Sequence, residues 1–112
     1  MKGYELYSWQ AKDQWHFTLM TGTNRVKSYE EITSNESIST TGGLTKISAQ
    51  NVDGIKSILG RLPQHEEIVW VGEQQLQQAG IQTGRITLPP REIIDDIKEY
   101  IRQLGLELKV DN

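Results

Sequence analysis

Two histidines, three adjacent carboxylate pairs and two glycine-containing loops are the places where this chain could do chemistry. Histidine changes charge near neutrality and serves as a base or a metal ligand. Only His16 and His65 are present, far apart, and neither has a second histidine one helical turn away. His65-Glu66-Glu67 gathers three ligand types, but consecutive residues of an extended chain point to alternate sides and do not converge on one ion. His65 therefore reads as a solvated loop residue. His16, between Trp15 and Phe17, reads as a sheet-face residue paired across strands.

Two carboxylates in unlike environments can divide acid and base roles. Glu30-Glu31, Glu66-Glu67 and Asp95-Asp96 are the candidates. Asp95 and Asp96 sit opposite an apolar helix stripe, a wet face supported by Arg91–Asp95 and Glu99–Arg102 spacing. A serine nucleophile needs an adjacent base, and no Gly-x-Ser-x-Gly elbow is present. Thr40-Thr41-Gly42-Gly43-Leu44-Thr45-Lys46 has the composition of an anion loop. Its lysine does not follow a glycine, however, and no helix opens directly after it, so it reads as a linker.

Thr21-Gly22-Thr23-Asn24-Arg25 is the sharpest candidate. Backbone N–H groups of such a turn can form an anion-binding nest, and arginine grips phosphate or carboxylate bidentately. Against this, Asn24 can satisfy local backbone while Arg25 pairs with Glu30 or Glu31. Trp9, Trp15 and Trp70 form the other notable group. If Trp9 and Trp15 face each other across a hairpin, one stays partly exposed, as tryptophans at partner hot spots and stacking platforms do; core packing is the alternative. Lys12 and Arg25 supply too little interleaved positive charge for nucleic-acid stacking, and Leu88-Pro89-Pro90 lacks a PxxP repeat.

The elements that must position these residues follow from hydrophobic period. Residues 4–9 and 15–20 alternate with a period of two, which predicts two strands joined by a glycine-free loop over 10–14. Ser28 and Glu31 have capping-box spacing, so 29–33 is either a helical turn or a third strand. The Ser-, Thr- and Gly-rich stretch to Asn51 predicts a mobile polar loop near 34–43, then an extended piece over 44–49. Asn51 suits an N-cap for a helix running to about Leu62, with Val52, Ile55, Ile58, Leu59 and Leu62 on one face and Pro63 ending it. Ile68 to Val71, apolar on both faces, predicts a strand in the interior of the sheet. One or two helical turns closed by Gly80 are expected in the glutamine-rich run 73–82, and extended chain through 86–88. Pro90 suits the first turn of the last helix. Ile93, Ile94, Ile97, Tyr100, Ile101 and Leu104 line one face of that helix, Gly105 follows it, and Leu106, Leu108 and Val110 form a final strand.

This order predicts one α+β domain over residues 1–112: a three- to five-stranded, largely antiparallel sheet with two helices packed on one face. Leu, Ile, Val and Phe make up a quarter of the 112 residues, enough for a small core. The lack of cysteine excludes disulfides, thiolate catalysis and cysteine-bound metals. Twelve basic against fifteen acidic residues, net −3, disfavour nucleic-acid and anionic-membrane partners. No apolar signal segment follows Lys2 and no apolar run approaches the ~20 residues of a membrane span, which points to the cytosol. The expectation is a non-catalytic binding or protein-interaction module without cofactor or metal, monomeric or homodimeric, with Trp9, Trp15, Thr23, Asn24 and Arg25 as contact residues. Two alternatives stay open: an anion- or nucleotide-binding protein using the Thr21–Arg25 turn, and a homo-oligomer building block assembled through unpaired sheet edges.

Overall fold

The computed structural model describes residues 3–21, 29–34, 38–39, 45–63 and 66–111. The hairpin comes first, β1 (Tyr4–Ala11) and β2 (Gln14–Thr21), followed by a short α1 (Tyr29–Thr33). A two-residue β3 (Ile38–Ser39) and β4 (Thr45–Ala49) lead into α2 (Val52–Leu59) and β5 (Glu67–Val71). The chain ends with α3 (Glu73–Gln78), α4 (Arg91–Gln103) and β6 (Glu107–Asp111). The strands lie in the order β3-β4-β2-β1-β5-β6. The three pairings on the β3 side are antiparallel and the two on the β6 side parallel. The class is thus the expected α+β with a largely antiparallel sheet; β3 adds a sixth, minimal strand that the polar composition around it did not suggest.

The predicted five-residue hairpin loop is only two residues long. Both strands run further than their apolar pattern, and Lys12 (φ 54°) and Asp13 (φ 63°) alone make the turn. Two consecutive left-handed residues match the right-handed twist of a hairpin, a geometry usually given to Asn-Gly. Between 29 and 33 the helical alternative is the one realised. Thr18 Oγ1 donates to the exiting Ile32 carbonyl at 2.8 Å.

Alternation sorts the sheet's side chains onto two faces. On one, Leu6, Phe17, Leu19, Ile68 and Trp70 meet Ile55 and Leu59 of α2 and Ile97 and Ile101 of α4. These are the two helices the sequence predicts there. On the other, Tyr7, Met20 and Val71 meet Ile32 of α1, Leu76 of α3 and Ile86. This second layer went unforeseen because its helices are too short to show a 3.6-residue period.

Helix ends depart from expectation in small, explicable ways. Asn51 caps α2 as predicted, its Oδ1 accepting the Gly54 N–H at 2.7 Å, but the helix stops at Leu59. Gly60 N–H still bonds the Lys56 carbonyl, and the Arg61 and Leu62 N–H groups then tighten to i→i−3 bonds with Ile58 and Leu59. Pro90 is the cap of α4 rather than its first helical residue, and its carbonyl accepts the Ile93 and Ile94 N–H groups. Gly105 (φ 81°) closes α4: its N–H bonds the Arg102 carbonyl while Leu106 N–H bonds Ile101. On the wet face, Arg102 pairs with Glu99 at 2.6 Å as expected. Among the described residues no Arg91–Asp95 pair forms; instead Asp96 reaches across to Lys56 of α2 at 2.8 Å, and Lys56 lies 5.6 Å from the Tyr100 ring centre.

β5 runs beside only the first half of β1, pairing Tyr4 to Leu6 with Ile68 to Trp70. The chain then leaves through α3 and returns to cover the exposed edge: Ile86 bridges Trp9, and Thr87 N–H donates to the Ser8 carbonyl at 3.0 Å. The extended piece expected at 86–88 thus completes the sheet where β5 gives out.

Candidate functional site

The tip of the hairpin carries the site. On the helix-poor face, Trp9 and His16 are direct cross-strand partners, and Ala11 and Gln14 are the next pair toward the tip. α1 and α3 cover this face further along the strands. A cleft of about 570 Å³ remains over the tip, its floor built on the Trp9–His16 pair and its walls including Thr33, Gln50 and Arg85. Trp9 is 2% exposed and stacks on the His16 ring at 5.7 Å and 19°. The His16 Nδ1 is buried and has no hydrogen-bond partner among the described residues. A polar atom held this way is costly in an interior.

Three basic side chains from two separate regions line this cleft. Lys12 comes from the turn, His16 from β2, and Arg85 from the segment that returns to the sheet. Among the described residues none that lines the cleft is acidic, and neither Lys12 nor Arg85 enters an ion pair. Arg85 is held by its Nε, which donates to the Tyr29 hydroxyl at 3.0 Å. Tyr29 in turn lies against the backbone of Gly84 (φ 53°), where any added Cβ would collide with the ring. Glycine is required there by both conformation and space. In a chain of net charge −3, the cleft is a local concentration of positive charge.

The structure separates two of the residues the sequence singles out. Trp9 and Trp15 do not face each other: Trp9 pairs with His16, and Trp15 pairs with Gln10. One-residue alternation puts Trp15 on the opposite face, packed against the large core. Of the two, only Trp9 reaches the cleft, as buried support rather than as an exposed platform. Thr23, Asn24 and Arg25 lie outside the described residues, as do His65 and most of the polar loop near 34–43. Arg85 and Lys12 as site residues were missed. Their one sequence signal is local: Gly84 precedes Arg85 and a tight hairpin tip holds Lys12, but the return of 85–87 to β1 is long-range.

Among the described residues no three His, Asp or Glu side chains group to hold a metal, and no helix is long and apolar enough to cross a membrane. No protein family, curated protein or solved structure was found to match the chain.

Proposed function

We propose that this chain is a non-catalytic binding domain that takes a small anionic ligand in the cleft between Lys12, His16 and Arg85. The observation that supports this reading is the meeting of three basic side chains in a cleft with no carboxylate among its described lining residues, on an otherwise acidic chain. Lysine and arginine suit a phosphate or carboxylate group as point charge and planar fork respectively. Gln14, Gln50 and Thr33 add neutral hydrogen-bonding groups for the remainder of a ligand. Binding rather than reaction is favoured because, among the described residues, His16 makes no hydrogen bond to a hydroxyl or carboxylate that would form a nucleophile–base pair.

The test is an amide NMR titration of the labelled protein with inorganic phosphate, pooled nucleotides and pooled sugar phosphates. Shifts are expected at Lys12, His16, Gln50 and Arg85, and they should vanish in an Arg85→Ala variant whose spectrum is otherwise native. Binding at ten times Kd would also raise stability by about 1.4 kcal/mol. Shifts confined to Thr21–Arg25 would move the site to that turn. A spectrum unchanged by all three pools at millimolar concentration would reject the anion reading in favour of a macromolecular partner.

A further inference from the structure

Among the described residues nothing pairs with the outer edge of β6, and the chemistry of that edge is self-complementary. Among the described residues β6 is a terminal strand, paired with β5 alone, and the opposite terminal strand, β3, has just two residues. The Glu107 N–H donates to the Glu66 carbonyl of the chain leading into β5, at 3.2 Å. Along a strand, successive peptide groups point to opposite sides. The Leu106 carbonyl, both backbone groups of Leu108 and the Val110 N–H therefore point away from β5. They face an open groove of about 610 Å³ between the strand edge and the flank of α4, lined by Leu106 and Leu108 and, from α4, by Asp95, Lys98, Glu99 and Arg102. Side chains alternate as well. Leu108 and Val110 lie on the α4 side, packed against the large core, while Glu107 and Lys109 are exposed on the other face. Neither Glu107 nor Lys109 has an ion-pair partner among the described residues.

We propose that β6 pairs antiparallel with β6 of a second copy of this chain, about a two-fold axis through Leu108, to make one continuous sheet across a dimer. In this register each Leu108 exchanges N–H and carbonyl with its own copy, and each Val110 N–H donates to the other copy's Leu106 carbonyl. Each Glu107 lies directly opposite the other copy's Lys109, so two ion pairs form on the exposed face. On the α4 side Leu108 meets Leu108, and Leu106 meets Val110. Cross-strand opposite charges and apolar pairs stabilise a sheet, and like charges directly opposite oppose it. A register centred on Lys109 would set two lysines face to face, and one centred on Val110 would set Lys109 opposite Asp111 but leave Glu107 without a partner. Isolated charges on an edge commonly guard it against association. Here the signs alternate with the spacing that an isologous two-fold contact needs.

The test is sedimentation equilibrium of the full chain between about 1 and 200 μM, on wild type, Glu107→Lys, Lys109→Glu and the double exchange. All the changes are at exposed side chains, and far-UV circular dichroism checks that each variant is folded. Wild type is expected to dimerise in this range. Each single reversal should weaken dimerisation by about tenfold, since it sets two like-charged pairs opposite one another, and the double exchange should restore it. A wild type that remains monomeric at 200 μM overturns the proposal. So does a dimer that Glu107→Lys leaves untouched, or one that the double exchange fails to rescue.

Discussion

Tyr7 shows how a single side chain can tie the sheet to solution conditions. It is 4% exposed within the smaller core, and its hydroxyl donates to the Glu5 carboxylate at 2.9 Å. Burial first, then the neighbouring Glu5 charge and the hydrogen bond to it, hold the phenol far above its ordinary range. The unfolded chain releases this proton near pH 10 while the folded chain keeps it. Above that pH the folded state binds more protons than the unfolded one, so stability must fall as pH rises. The slope approaches about 1.4 kcal/mol per pH unit, and below pH 10 the contribution is fully present. Tyr7→Phe should cost about 1 kcal/mol at pH 7 through the lost hydrogen bond. It should also flatten the alkaline limb, so that the two stability curves converge between pH ~10 and ~11. Urea unfolding across that range measures both effects. A variant that keeps the full wild-type slope would assign the alkaline loss elsewhere, Tyr4 being the other phenol raised by burial, with Glu66 adding to it.

At the level of elements, legibility divides by the range of the interaction that decides each one. α4 was readable because Ile93, Ile97, Ile101 and Leu104 repeat the helical period and Gly105 terminates it within the same stretch of chain. β5 was readable because Ile68 to Val71 must be covered on both faces, which only an interior strand allows. The helix-poor face was not, since Ile32, Leu76 and Ile86 become a core only when three distant segments meet. For the same reason the cleft was invisible: Lys12 and Arg85 are 73 positions apart. The hairpin loop differs from its sequence pattern for another reason. Lys12-Asp13 is a poor sequence for a turn that needs two left-handed residues, so nothing local marked it. That mismatch makes the turn improvable. Asp13→Gly relieves the φ 63° residue and leaves Lys12 in the cleft. The expected gain is about 0.5–1 kcal/mol, a rise in Tm of a few degrees in a thermal scan, with the NMR response to phosphate unchanged. A lower Tm would show that Asp13 makes a contribution outweighing its backbone strain.

Across the whole molecule, one sheet serves two cores, and the seam between β1, β5 and the returning 86–87 segment has to hold where no regular ladder exists. Ser8 closes that seam. It is fully buried; its Oγ donates to the Thr87 carbonyl at 2.7 Å and accepts from Trp70 Nε1 at 3.1 Å, while its own carbonyl takes the Thr87 N–H. One hydroxyl thus satisfies an indole on β5 and a carbonyl of the segment that carries Ile86 into the second core and Arg85 to the cleft. Trp70 also meets Phe17 edge-on at 6.1 Å, so its placement reaches across the larger core to β2. Ser8→Ala removes little volume but leaves the Trp70 N–H buried without its partner. The predicted loss is about 2–3 kcal/mol, the cost of an unsatisfied buried donor rather than of one average hydrogen bond. Because the seam belongs to both cores, urea unfolding should stay a single transition, with tryptophan fluorescence and far-UV circular dichroism moving together to a lower midpoint at an unchanged m-value. Two separated transitions would mean that the helix-poor face melts independently of the larger core, and that the Arg85 wall of the cleft can open while the rest of the fold stands.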